Sequence, residues 1–181
     1  AVFKTQPGTR ERHYKGDGGT VFQNWMQRRF LSRFALGSKP EKHSGLGLDA
    51  YVTATSPIRK YYDLLTQRQI RAVLGMERPY TSDEIARILQ LLELPMANVS
   101  RIQFGRNRYW LLKYLEQQVG RKEEAIVLMK RRNEYQILLS SYMTECDLPL
   151  SSGFVLKPED LIQVTIQNVS ARKDLLQVAI G

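Results

Sequence analysis

Apolar residues recur at helical spacing along the first two thirds of the chain and at alternating spacing along the last third. From Thr20, the positions of Val21, Trp25, Met26, Phe30 and Phe34 predict an amphipathic helix closing at Gly37, with Arg28, Arg29 and Arg33 on its other faces. A loosely alternating segment, Leu46–Thr55, follows. Ser56-Pro57 then reads as N-cap and first helical residue of a second helix, whose stripe is Ile58, Tyr61, Tyr62, Leu65, Ala72 and Val73 and whose end is Gly75. Thr81-Ser82-Asp83-Glu84 is a capping box that opens a helix expected to stop before Pro95. A longer helix is expected from about Asn98 to Val119, carrying Ile102, Tyr109, Leu112 and Leu115. Residues 8–19, with four glycines and no periodicity, read as an exposed loop.

After Gly120 the period shortens to two. Glu124–Lys130, Tyr135–Ser140, Met143–Asp147, Leu161–Gln167 and Leu175–Ile180 are short alternating or β-branched runs separated by turn residues. Five such strands in a segment this short predict a small five-stranded barrel of the OB type. The fold class is therefore α+β, a helical part over residues 1–120 followed by a barrel over 121–181. Neither an internal repeat nor a low-complexity tract interrupts this pattern.

Composition narrows the picture. The 181 residues are 43% hydrophobic and 25% charged, as expected of a globular chain rather than a disordered one. Apolar runs are all too short for a membrane span. The single cysteine, Cys146, allows no intramolecular disulfide and no Cys-rich zinc site, so a reducing compartment is expected. The expected address is the cytoplasm, with an organelle as the alternative. The opening Ala-Val-Phe-Lys, without a methionine, suggests a piece of a longer polypeptide.

Charge gives the first functional indication. Residues 1–120 hold 19 basic and 10 acidic side chains, and residues 121–181 hold eight of each, so the whole net charge of +9 lies in the helical part. A localised positive excess attracts polyanions by releasing their counterions, although a basic surface with no ligand has the same composition.

The densest chemistry lies in residues 43–67. With a helix beginning at Ser56-Pro57, Thr55, Ser56 and Arg59 would stand at a helix start, where unpaired N–H groups and the positive dipole end favour an anion. Arg59 would add a planar fork able to grip a phosphate through two hydrogen bonds. The plainer alternative is a surface helix on which Arg59 pairs with Asp63, its i+4 neighbour.

The run His43-x-Gly45-Leu46-Gly47-Leu48-x-x-Tyr51-x-x-x-Thr55-Ser56-Pro57-Ile58-Arg59-Lys60-Tyr61-x-Asp63 resembles the signature of the RNase II/RNase R (RNB) family of exoribonucleases. That resemblance implies processive hydrolysis of single-stranded RNA from its 3′ end to nucleoside 5′-monophosphates. It extends to the opening Val2-Phe3-Lys4-Thr5-Gln6-Pro7 and to the barrel. Residues 1–120 would correspond to the last part of an RNB catalytic domain and residues 121–181 to its C-terminal OB-fold RNA-binding domain. It further implies that Arg59 contacts the phosphate near the scissile bond and neutralises charge building up in the transition state. Ser56, Pro57 and Tyr61 would fix the direction of Arg59, and Asp63 would orient a neighbouring arginine. Tyr51 and His43 match the strand side of the signature, where a histidine satisfied within the fold is as good a reading as one that touches RNA.

The candidate RNA contacts are Tyr51, Thr55, Ser56, Arg101, Arg106, Lys130, Arg131 and Arg132. The last three read equally as a charged hairpin turn, and Arg106 and Arg108 cannot share one helical face. Family members hold Mg²⁺ on aspartates spaced roughly D-x-x-x-x-x-D-x-D-D. The first sixty residues here offer only Glu11, Asp17, Glu41 and Asp49, without that spacing. No metal ligand is therefore assigned, and the chain alone is expected to be inactive, its partners being single-stranded RNA and the N-terminal part of the same polypeptide. Gln103 stands where some members carry a glutamate, and Gln67 where the family has a histidine. The alternative readings are a non-catalytic RNA-binding homologue and a purely structural module.

Overall fold

Thr81 and Glu84 close the ends of each other's backbone. The Glu84 N–H donates to Thr81 Oγ1 at 3.2 Å, and the Thr81 N–H donates to Glu84 Oε2 at 2.8 Å. From this box a single helix, α3, runs Ser82–Leu115. The computed structural model describes residues 2–6, 18–30, 35–150 and 155–181. Most of the expected 8–19 loop, together with Phe34, lies outside the described residues.

The contacts of the chain divide into two compact units, Ala1–Gly19 with Gln23–Asn98, and Thr20–Phe22 with Val99–Gly181. In the first, β1 (Phe3–Thr5) pairs antiparallel with β2 (Ala35–Gly37), aligning Phe3 with Gly37 and Thr5 with Ala35. The helix expected to reach Gly37 is described as α1 over Val21–Phe30, and Ala35–Gly37 is a strand instead of helix. Residues 35–37 gain their hydrogen bonds from β1, a strand partner that helical periodicity cannot register.

Helix α2 spans Tyr61–Val73, not residues 57 onward. Its far end follows expectation. Gly75, at φ +74°, donates to the Ala72 carbonyl, while the Met76 N–H donates to that of Arg71, a Schellman closure. The link onward to α3 is clamped by Gln69, whose side chain donates to the Tyr80 carbonyl at 3.0 Å and accepts the Tyr80 N–H at 2.8 Å. Val2, Tyr62, Leu65 and Ile85 form the buried centre of this unit, with Leu36, Tyr80, Ile88 and Met96 packed against it.

Pro95 does not end a helix; it sits inside α3. A proline removes one N–H from the ladder, leaving the carbonyl of Leu91 without its partner. Leu91 and Pro95 are both exposed, so that carbonyl can turn to water and the helix continues. It ends at Leu115 in a short 3₁₀ turn, Glu116–Gln118.

The alternating runs form the strands they predict: β3 (Lys122–Lys130), β4 (Glu134–Leu139), β5 (Thr144–Pro149), β6 (Leu161–Ser170) and β7 (Leu175–Ile180). They lie in the order β5-β4-β3-β6-β7 with every neighbouring pair antiparallel. Bulges between Val127 and Met129 and between Ile166 and Asn168 bend the two longest strands. The outer strands β5 and β7 thereby approach each other, and the sheet becomes a nearly closed barrel. Leu112 and Leu115, at the end of α3, pack into the barrel core against residues such as Val127, Ile137, Leu139 and Ile166.

Candidate functional site

The loop before α2 is built around a buried carboxylate. Asp63, in the first turn of α2, is 0% exposed. Its Oδ1 accepts the Thr53 hydroxyl at 2.5 Å and its Oδ2 accepts the Ser56 N–H at 2.9 Å. Gln67, one turn further along α2, donates from Nε2 to the Ala54 carbonyl at 2.6 Å. Three consecutive parts of the loop are thus fixed to one helix.

These bonds explain why Ser56-Pro57 does not open the helix. The Ser56 carbonyl accepts the N–H groups of Arg59 and Lys60, at 3.2 and 3.0 Å, closing a separate turn over residues 56–60. Lys60, in extended conformation, is then the N-cap of α2. Thr55, Ser56 and Arg59 therefore lie two to six residues before the helix starts at Tyr61, and the carboxylate at its first turn is the chain's own Asp63. The i+4 pair of Arg59 with Asp63 is not made either, because Arg59 is not on the helix and both Asp63 oxygens are engaged by neutral donors.

Arg59 is exposed, and its guanidinium makes one long contact, Nη2 to Ser56 Oγ at 3.4 Å. Among the described residues no carboxylate pairs with it. Two further cations act on the same place. The Lys4 ammonium is held below its usual pKa, first by burial and then by the Lys60 charge, with Asp63 opposing. The Tyr62 phenol is pushed up by burial and by Asp63, while Arg59 pulls it down. Lys60 itself lies 6.0 Å from the Tyr62 ring centroid. The loop is rigidly anchored and positively charged, with one fork-shaped donor left open, which suits a phosphate.

The other half of the motif holds this loop against β1. Lys4 donates its N–H to the Tyr51 carbonyl at 2.8 Å, and the Ser44 N–H donates to that of Gln6 at 2.9 Å. Gly45 packs closely here: a Cβ on it would come 2.4 Å from Gln6 Oε1, so the Gln6 side chain would have to shift. His43 is buried and meets the Tyr51 ring edge-on at 5.2 Å, and its Nδ1 has no hydrogen-bond partner among the described residues.

The remaining candidates belong to the second unit. Arg108 donates to Asp174 at 2.9 Å and to Thr144 Oγ1 at 3.0 Å, which fixes α3 to the barrel. Arg101 lies seven residues before it on the same side of the helix, whereas Arg106 and Gln103 are exposed on another. In the β3–β4 turn, Arg131 pairs with Glu134 at 3.5 Å and Asp147 at 3.4 Å, and Lys130 lies 5.9 Å over the Tyr135 ring. Arg132 is the member of that cluster without a partner among the described residues. Among the described residues no three His, Cys, Asp or Glu side chains converge as metal ligands.

Residues 16–76, which enclose the anchored loop, match the RNB domain model. An uncharacterized ribonuclease of Synechocystis sp. is 30% identical over 150 residues, covering 81% of this chain and 22% of that protein. The chain belongs to the RNB family.

Solved structures agree on the fold of this RNB chain. A Dss1 exoribonuclease active-site mutant from Candida glabrata superposes with a TM-score of 0.79 at 20% identity, over 99% of this chain and 25% of that one. Mycoplasma genitalium RNase R in complex with ribose-methylated single-stranded RNA superposes with a TM-score of 0.64 at 15% identity, over 89% of this chain and 30% of that one. The RNB chain therefore spans less than a third of the length of these relatives. The sequence pattern located its loop and marked Gln67 as a departure, but missed the bonds that Thr53 and Gln67 make to partners ten and thirteen residues away. Only the T-x-x-S-x-x-x-x-x-x-D spacing carried a signal for the Asp63 anchor.

Proposed function

We propose that residues 1–120 are the phosphate-gripping C-terminal part of an RNB catalytic domain and residues 121–181 an OB-type RNA-binding barrel. The whole protein is then a processive 3′→5′ exoribonuclease that hydrolyses single-stranded RNA to nucleoside 5′-monophosphates. The observation that carries this reading is the Asp63-anchored loop, which leaves Arg59 exposed and without a carboxylate partner. Arg59 is the catalytic residue of this chain, contacting the phosphate and neutralising its developing charge. Asp63, Thr53 and Gln67 are positioning residues. Tyr51, Thr55 and Ser56 line the phosphate path, and Arg101, Arg106, Lys130, Arg131 and Arg132 supply a wider basic field.

Hydrolysis of this kind uses Mg²⁺ to activate water. The described residues offer no donor set that fits such an ion, so its ligands are assigned to the rest of the protein. The cytoplasm is the proposed compartment, with an organelle as the alternative, in keeping with one free buried cysteine.

The test is fluorescence anisotropy with labelled single-stranded RNA at low and moderate salt, with and without Mg²⁺. Salt-sensitive binding is expected, weakened by Arg59→Ala and incompletely restored by Arg59→Lys, because lysine keeps the charge and loses the fork. A chain that binds no RNA at low salt overturns the reading. Mg²⁺-dependent release of mononucleotides by the chain alone overturns the assignment of the metal ligands elsewhere.

A further inference from the structure

From Val99 onward α3 has two unlike sides. Arg108, Leu112 and Leu115 face the barrel, as the contacts of Arg108 and the full burial of both leucines establish. About 145° round the helix, at 100° per residue, lie Arg106, Tyr109, Trp110 and Lys113, spaced i, i+3, i+4 and i+7. Trp110 is 62% exposed and Tyr109 37%. Their rings meet edge-to-face at 5.4 Å, and no core covers them.

Two cations flank the aromatic pair about 10.5 Å apart along the helix axis. Arg106 has no acidic partner among the described residues. Lys113 is already paired with Glu116 at 2.7 Å, and the second oxygen of Glu116 accepts the Ala171 N–H at 2.9 Å, so Arg106 is the cation of the two left without a carboxylate. An exposed tryptophan–tyrosine pair between two cations combines a π-face for stacking with charges for a phosphate backbone. A purely apolar protein surface would leave Arg106 uncompensated, whereas a polyanion satisfies it. The segment also lies in the part of the chain that holds the whole positive excess.

We propose that Arg106, Tyr109, Trp110 and Lys113 form a sequence-tolerant stacking platform for single-stranded RNA, with a base on Trp110 and a flanking phosphate on Arg106. This rests on the reading of the chain as RNA-binding and assigns a site in the second unit, on residues other than Arg59.

Trp110 has its own readout. The chain has two tryptophans, so Trp25→Phe leaves Trp110 as the sole indole. Titrating that variant with an oligouridylate of about 16 nucleotides is expected to quench Trp110 emission and shield it from acrylamide. In the same background Trp110→Leu should weaken binding about tenfold, and Arg106→Gln should lower the slope of log K against log salt by about 0.7. Phe104, more exposed than Trp110 but about 170° from the centre of the cluster, is the control, and Phe104→Leu should change neither.

Far-UV circular dichroism establishes that each variant is folded. RNA binding that depends on Arg59 while Trp110 emission stays constant overturns the platform and leaves the RNA-binding reading intact. Equal affinities of the Trp110→Leu and Phe104→Leu variants also overturn it, and leave the face to an apolar protein partner. A folded chain that binds no RNA overturns both.

Discussion

Asp63 reaches back seven residues to accept the Ser56 N–H at 2.9 Å, and this bond decides where α2 begins. Without it, Ser56-Pro57 has the chemistry of an N-cap and first helical residue. With it, residues 56–60 close a turn of their own, and Arg59 stands on a loop whose base is buried and whose tip is open. One carboxylate thereby links the helix boundary to the direction of the cation proposed to meet phosphate.

Asp63→Ala is expected to destabilise the chain by roughly 2 kcal/mol or more, because the Ser56 N–H and Thr53 hydroxyl lose their acceptor in a part-buried place. RNA affinity should fall with it, as Arg59 loses its fixed direction. Arg59→Ala should lose RNA affinity alone, with stability within about 0.5 kcal/mol of the parent, since its one contact is long and exposed. Urea unfolding and RNA anisotropy on both variants separate the two roles. Equal losses of stability would rule out the division into positioning and contacting residue.

Pro95→Ala should stabilise α3. The substitution returns an N–H to the helix interior at an exposed position, and the cost of proline there is up to about 3 kcal/mol. Calorimetry is expected to show a higher Tm than the parent. An unchanged or lower Tm would mean that the backbone around Leu91 is set by other contacts.

The two arginines at positions 106 and 108 should behave in opposite ways. Arg108→Ala removes two hydrogen bonds between α3 and the barrel, one to buried Thr144 and one to mostly exposed Asp174. The expected loss is about 1 kcal/mol, dominated by the Thr144 bond because the ion pair is partly screened by solvent. Arg106→Ala should leave stability unchanged and weaken RNA binding. Paired unfolding and binding curves check this, and a stability loss at Arg106 would place that side chain against the fold.

The β half was legible because its rules are local. The runs from Lys122 to Ile180 are short and bounded by turn residues, and three of the four strand pairings join successive runs, β3 with β6 being the exception. The helical half was legible in its stripes but not in its ends. Ala35–Gly37 depended on β1 more than thirty residues earlier, and the start of α2 depended on a carboxylate already inside it. The stop expected at Pro95 concealed more, because it broke α3 into two helices. The register that aligns Arg106 with Lys113 and Arg101 with Arg108 is read from the helix that follows it. The RNB motif marked Arg59 without showing that the arginine leaves Asp63 to Ser56 and Thr53.

Cys146 gives a prediction about alkaline pH whose sign can be worked out. Its thiol lies in the barrel core, and burial pushes its pKa up from 9.0 to about 12, with Asp147 adding to the rise and Arg108 opposing it. In the unfolded chain the thiol ionises near its ordinary value, so above about pH 9 the unfolded state gives up a proton that the folded state keeps. The stabilising difference is fully present below pH 9 and is lost as pH rises toward 12, at a rate approaching about 1.4 kcal/mol per pH unit. Tyr62 and Tyr142, whose phenols are also raised by burial, add a slope of the same sign. Cys146→Ala should therefore unfold with a shallower loss of stability between pH 9 and 11 than the parent, whatever its stability at neutral pH. Alkylation should agree, with the native thiol inert at pH 9 and reactive once urea opens the barrel. Identical alkaline slopes for parent and variant, together with rapid native alkylation, would place Cys146 at the surface and outside the core that Leu112 and Leu115 share with the strands.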